Sequence, residues 1–149
     1  MLARLLPGQG FRHHALRRNA VGHFVLVGRL GNETIDILID TGASNTILDL
    51  EWARSRGIPL VDTGRRGGGA GSAEMPIYAL GDVPLALDGL PVRSDGIFAL
   101  DMSHVNRGLA MKGAGPVTAV IGADVLSRHD AVIDYATASL YLRHPGATS

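Results

Sequence analysis

The chain has 149 residues, 46% of them apolar, with fourteen Lys plus Arg against fourteen Asp plus Glu. That is the length of one domain, with enough apolar side chains for a core and no net charge that would favour a nucleic-acid partner. The absence of cysteine excludes disulfides, thiolate-ligated zinc and thiol catalysis.

In chain order, residues 1–20 read as an irregular leader. Within it the basic stretch Arg12 to Arg18 (RHHALRR) has no aromatic platform beside it and reads as a solvated arm. The opening MLARLLPGQGFRHH lacks the apolar h-region of a signal peptide, and no run approaches the roughly 18 apolar residues of a membrane span, so the compartment stays unassigned. The domain is expected over residues 21–144, with 145–149 as a tail. From Val21 the pattern changes. Phe24, Leu26 and Gly28 alternate with Val25, Val27 and Arg29, Gly31-Asn32 supplies a turn, and Ile35, Ile37 and Ile39 alternate after it. Two such runs about a Gly-Asn pair predict a hairpin.

Asp49 to Arg56 (DLEWARSR) has helical spacing, with Asp49 as N-cap and Gly57 as the stop. Gly64 to Ser72 (GRRGGGAGS) is too rich in glycine for regular core structure, whereas Leu60-Val61 and Met75 to Leu80 on either side can pair as strands. Short β segments are expected at Val83 to Leu87, Leu90 to Val92 and Ile97 to Leu100, and residues 101–116 are ambiguous. Val117 to Ile121 predicts a strand ending at Gly122. Ala123 to His129 suits one or two helical turns, with Asp124 as their cap, and Ala131 to Tyr135 with Ser139 to Leu142 forms a closing hairpin whose Asp134 is a turn or edge charge. Many short strands with one or two short helices predict an all-β fold, small and closed or nearly closed.

The chemistry concentrates in Ile35 to Leu48, IDILIDTGASNTIL. A hydrophobic strand delivers Asp40-Thr41-Gly42, then two small residues, Ala43 and Ser44, then a second apolar run. By average residue usage, D-T-G followed by two Ala or Ser arises by chance in about one in a thousand chains of this length. Gly42 permits a sharp turn and close backbone approach, the Thr41 hydroxyl can fix the loop by hydrogen bonding, and Ala43 and Ser44 leave room for a facing copy. A lone aspartate is an ordinary carboxylate. Two held about 3 Å apart cannot both ionise and share a proton, for which aspartic-protease dyads are the standing illustration. The ionised member takes a proton from a water between them, and the protonated member donates to the substrate carbonyl.

This segment resembles the active-site strand and loop of retropepsin-like aspartic peptidases, the single-domain aspartyl proteases. Ala119 to Leu126 (AVIGADVL) is similar to the apolar-apolar-Gly segment that threads beside the catalytic loop in that family, which marks Ile121 and Gly122 as loop-packing residues. The order of aspartate loop, glycine-rich flap, threading segment and final hairpin (VIDYATASLYL) also fits, from Val21 to Leu142. The resemblance implies a closed retropepsin-like β barrel and a flap tip at Gly67, Gly68, Gly69, Ala70 and Gly71. It also implies a symmetric homodimer pairing Asp40 with Asp40, a Thr41 bond across the two-fold axis, no cofactor or metal, and hydrolysis of peptides or unfolded protein. D-T-G followed by two small residues is present once, so the second aspartate has to come from a second copy.

Two features depart from the family pattern. Residues 81–116 are longer than in compact viral members, and Ala123-Asp124 stands where those members commonly carry a basic residue. The alternative function is a peptide-binding or dimerisation module on the same fold that does not hydrolyse. A third reading, a processing domain released from a membrane-anchored precursor with self-cleavage as one step, rests on the irregular leader at residues 1–20. Ile47, Ile77 and Val120 are candidate pocket residues. The six histidines show no paired helical spacing and most are read as surface residues; Ser44 lacks a G-x-S-x-G elbow, which disfavours serine hydrolase chemistry.

Overall fold

A computed structural model describes residues 1–67, 74–81, 84–94 and 96–144. A helical turn α1 (Leu2–Leu5) and a 3-10 turn at Pro7–Gln9 precede β1 (Phe11–Ala15) and β2 (Arg17–Arg18). Next come β3 (Phe24–Leu30), β4 (Glu33–Ile39), β5 (Ile47–Asp49), α2 (Leu50–Ser55), β6 (Leu60–Gly67), β7 (Met75–Leu80), β8 (Leu85–Leu87), β9 (Leu90–Pro91) and β10 (Phe98–Leu100). The chain closes with α3 (Ser103–Met111), β11 (Ala119–Ile121), α4 (Ala123–Arg128), β12 (Val132–Asp134) and β13 (Ser139–Arg143). The all-β expectation is met. Pairing runs in two sheets, β1-β13-β12 and β6-β7-β10-β5-β11-β4-β3-β8-β9 with β2 on β3, and among the described residues it does not close either into a ring. None of the described helices is long and apolar enough to cross a membrane.

The β3–β4 hairpin forms where the alternation and turn place it, with Leu30 opposite Glu33. Gly31 has φ +59° at the first central position of its two-residue loop, the place where a tight hairpin turn most favours glycine. Both strands are buried on the core side, and Ile37 is fully enclosed. At Gly28 a Cβ would sit 2.5 Å from Ile37 Cδ1 and 3.0 Å from Leu87 Cδ2. Glycine there lets the β8–β9 hairpin close onto β3. The flap flanks pair as expected, β6 antiparallel to β7 with a register shift between Asp62 and Arg66. α2 carries the predicted cap, the Trp52 N–H donating to Asp49 Oδ2 at 3.2 Å.

Three expectations are corrected. The leader is not irregular throughout: β1 pairs along its whole length with β13, from Phe11 opposite Arg143 to Ala15 opposite Ser139, and Phe11, His14 and Leu16 are buried. The ambiguous segment contains α3. Its Leu109 joins Met102, Val25, Leu38, Ala114, Val117 and Val120 in a second, smaller core, while the Asn106 amide exchanges two hydrogen bonds with the Val117 backbone at 3.0 and 2.9 Å. The segment from β8 to α3 therefore packs into the domain.

Third, His14, His129 and His144 are buried, not on the surface. Their rings lie against one another, and each polar atom involved finds a partner, as burial demands. His14 contacts Asp88 Oδ2 through Nδ1 at 2.8 Å and His144 through Nε2 at 3.1 Å. The Arg93 N–H donates to His129 Nε2 at 2.9 Å, so that ring carries its proton on Nδ1 and gives it to the Arg143 carbonyl at 2.8 Å. Burial, above all, lowers the pKa of both His14 and His144, the latter to about 4. Asp134 is the turn charge expected, accepting from the Ala136 N–H and the Thr137 hydroxyl at the tip of the β12–β13 hairpin.

Candidate active site

β4 ends at Ile39, and Asp40 is the first residue past it. The Asp40 N–H donates to the Ile121 carbonyl at 3.0 Å, prolonging the parallel pairing of β4 with β11. The chain then reverses. The Ala43 N–H donates to the Asp40 carbonyl at 3.2 Å, and the Gly42 N–H donates to Asp40 Oδ1 at 2.9 Å. One carboxylate oxygen is thus tied to its own loop. A Cβ on Gly42 would stand 3.3 Å from that oxygen, tighter than most side chains tolerate, so glycine preserves the approach.

β11 lies between β4 and β5 in the sheet, and the loop joining β4 to β5 passes over the end of β11. Gly122 sits beneath it. A Cβ there would fall 2.6 Å from the Ala43 carbonyl oxygen and 2.7 Å from that of Asn45. The Ala123 N–H donates to the same Ala43 oxygen at 2.7 Å. Ile121, fully buried, supplies the carbonyl that holds Asp40.

Thr46, which sequence reasoning did not single out, closes the loop from below. It is fully buried; its hydroxyl accepts from the Gly122 N–H at 3.1 Å and donates to Asp124 Oδ1 at 2.8 Å. Its carbonyl accepts from the Phe98 N–H at 3.2 Å. The expectation for Asp124 is corrected here. Gly122 is the N-cap of α4, with no side-chain cap bond, and Asp124 turns its carboxylate to Thr46 instead; its other oxygen, Oδ2, is buried without a partner. In the sequence the only hint of this link is a threonine between a polar loop and an apolar run.

Asp40, Thr41, Gly42 and Ser44 are exposed and Ala43 is half-buried. Thr41 was expected to fix the loop, but within this chain that work falls to Thr46. Thr41 instead borders a pocket of about 470 Å³ beside α4, shared with Ala123, Leu126 and Ile133. Of the residues expected at a flap tip, Gly67 ends β6 against Ile77; Gly68, Gly69, Ala70 and Gly71 lie outside the described residues. Val120 is buried in the smaller core with Ile47 against it, while Ile77 is half-buried on β7. Among the described residues no three His, Asp or Glu gather to hold a metal.

An all-β chain in which a strand-tip aspartate loop is threaded by a later strand has the retropepsin-like fold. Residues 26–125 match the family described as aspartyl protease, and the chain belongs to that family. A retropepsin-like aspartic protease from Rickettsia conorii is 22% identical, with a TM-score of 0.55 and coverage of 91% of each chain. The retroviral protease-like domain of Ddi1 from Leishmania major is 20% identical with a TM-score of 0.54, over 79% of this chain and 86% of that one. EIAV protease in complex with the inhibitor HBY-793 is 18% identical with a TM-score of 0.50, over 70% of this chain and 85% of that one. At these identities the likeness speaks for the fold. Comparison with curated proteins gave no match.

Proposed function

We propose that the protein is an aspartic endopeptidase that acts as a homodimer on extended peptides or unfolded protein, with Asp40 from each copy forming the catalytic pair. The observation that carries this reading is the state of Asp40 in one chain: exposed, at the end of a core strand, with Oδ1 fixed by the Gly42 N–H. That arrangement orients a carboxylate outward at small cost and leaves its second oxygen for a partner.

D-T-G recurs at Asp62, but there it lies within β6 and is followed by Arg65 and Arg66 instead of small residues, so a two-fold axis beside the Asp40 loop is the economical way to bring a second carboxylate to the first. The pair would share one proton. The ionised member activates the water, and the protonated member polarises the scissile carbonyl and stabilises the charge that develops on its oxygen. Exposed Thr41, Gly42 and Ser44 would meet their mates across that axis, and β6 with β7 would cover the substrate.

The test is cleavage of fluorescein-labelled casein between about pH 3 and pH 7 by the wild type and by Asp40→Asn. The expected result is a bell-shaped profile, as two coupled carboxylates give, and loss of cleavage in the variant with its dimer intact. Cleavage that survives Asp40→Asn would remove the reading. A dimer that binds casein and cleaves none of it would point to the non-hydrolytic binding module.

A further inference from the structure

We infer that Asp124 and Thr46 are positioning residues for the catalytic loop, a role that rests on the peptidase reading for its effect on turnover but not for its geometry. The loop from Asp40 to Thr46 has two anchors of different kinds. At its start, backbone bonds and the Gly42 N–H hold Asp40. At its end the one side chain that reaches back to the threading segment is Thr46, through a relay from the Gly122 N–H to the Thr46 hydroxyl to Asp124 Oδ1.

The relay works in one direction only. The Gly122 N–H must donate, so the hydroxyl oxygen accepts there and its single proton is free for one acceptor, which the Asp124 carboxylate provides. Bonds to an ionised acceptor are stronger than neutral ones, and a buried hydroxyl in a fixed orientation has no water to fall back on. Without Asp124 the Thr46 proton loses its acceptor. The hydroxyl then rotates, and the Gly122 N–H competes for an oxygen that no longer faces it. Gly122 is followed by the Ala123 N–H bonded to Ala43 and preceded by the Ile121 carbonyl that binds the Asp40 N–H. Slack at Gly122 is therefore transmitted to the aspartate from both sides. Asp124 also keeps an unpartnered buried oxygen, an unfavourable arrangement that a purely structural site would have little reason to retain.

The experiment compares full-length Asp124→Ala, Asp124→Asn, Thr46→Val and the double variant Asp124→Ala/Thr46→Val in two ways. Amide hydrogen exchange reads the loop directly. Asp124→Ala and Thr46→Val should each raise exchange at the Gly122 and Asp40 amides by about 10-fold or more, with the β3–β4 amides unchanged. Turnover of labelled casein should fall about 10- to 100-fold in kcat with KM within about 3-fold, and the double variant should be no worse than either single one. Asp124→Asn, which keeps an acceptor oxygen for the Thr46 hydroxyl, should recover most of the kcat lost in Asp124→Ala.

Unchanged exchange at Gly122 and Asp40 in a folded Asp124→Ala or Thr46→Val protein would overturn the inference. So would additive losses, or failure of the asparagine to rescue. If Asp124→Ala does not fold, Thr46→Val decides, because valine keeps the branched shape and lacks only the hydroxyl. A wild type that cleaves no casein would count against the peptidase reading, and the exchange comparison would still decide the relay.

Discussion

Gly122 is the position where one added carbon atom does the most damage. Its neighbours at 2.6 and 2.7 Å are the backbone oxygens of Ala43 and Asn45, which cannot rotate aside as a side chain can. Gly122→Ala has to lift the loop off β11 or push the start of α4 away. It should cost about 1–3 kcal/mol of stability, as overpacking does, and remove casein cleavage; urea unfolding and the activity assay read the two effects separately. A variant of wild-type stability and activity would mean that the loop does not press on Gly122 as described. The residues of D-T-G-A-S were legible because the turn chemistry around a strand-tip aspartate leaves distinctive residue types in a row. The Thr46–Asp124 link was not, since its partners are far apart in sequence and each alone looks ordinary: a polar loop end and a helix cap.

Among elements, α2 shows how one side chain can hold two segments. Asp49 accepts from the Trp52 N–H through Oδ2 and from the Met102 N–H through Oδ1, so it caps its own helix and fixes the approach to α3. Asp49→Ala should therefore exceed the roughly 1 kcal/mol usual for a lost cap and reach about 2 kcal/mol, with Asp49→Asn recovering part of it in thermal unfolding. A cost of a few tenths would show the Met102 bond to be unimportant. The strands from β3 to β5 and from β11 to β13 were readable because alternation and turn residues agree there. α3 was hidden by Gly108 and Asn106, poor helix formers whose places are decided by tertiary contacts, Asn106 to the Val117 backbone. β1 was hidden because a buried position on it is a histidine, which reads as polar in any pattern.

At the scale of the molecule, the buried histidines set an acid limit. The groups facing them are Asp88, His13 and His129 around His14, with His14, His129, Arg12 and the Pro91 carbonyl around His144. A His144 pKa of about 4 in the folded chain stands against about 6.5 when unfolded. Between those values the unfolded chain binds more protons, so stability is complete above about pH 6.5 and declines as the pH falls towards 4. The expected loss is on the order of 1–2 kcal/mol, seen as a lower unfolding midpoint at pH 4 than at pH 7. His144→Gln should be less stable at pH 7 and show a shallower decline. A midpoint that rises on acidification would reverse the assignment.

The threading of β11 under the loop between β4 and β5 also governs when the protein can come into being during synthesis. A ribosome releases Asp40 well before the segment that supports it, so an unfinished polypeptide holds this carboxylate without the surroundings that orient it. Strand order thereby delays the orientation of Asp40 until β11 has been made, and under the peptidase reading a nascent chain is not set for cleavage before that point.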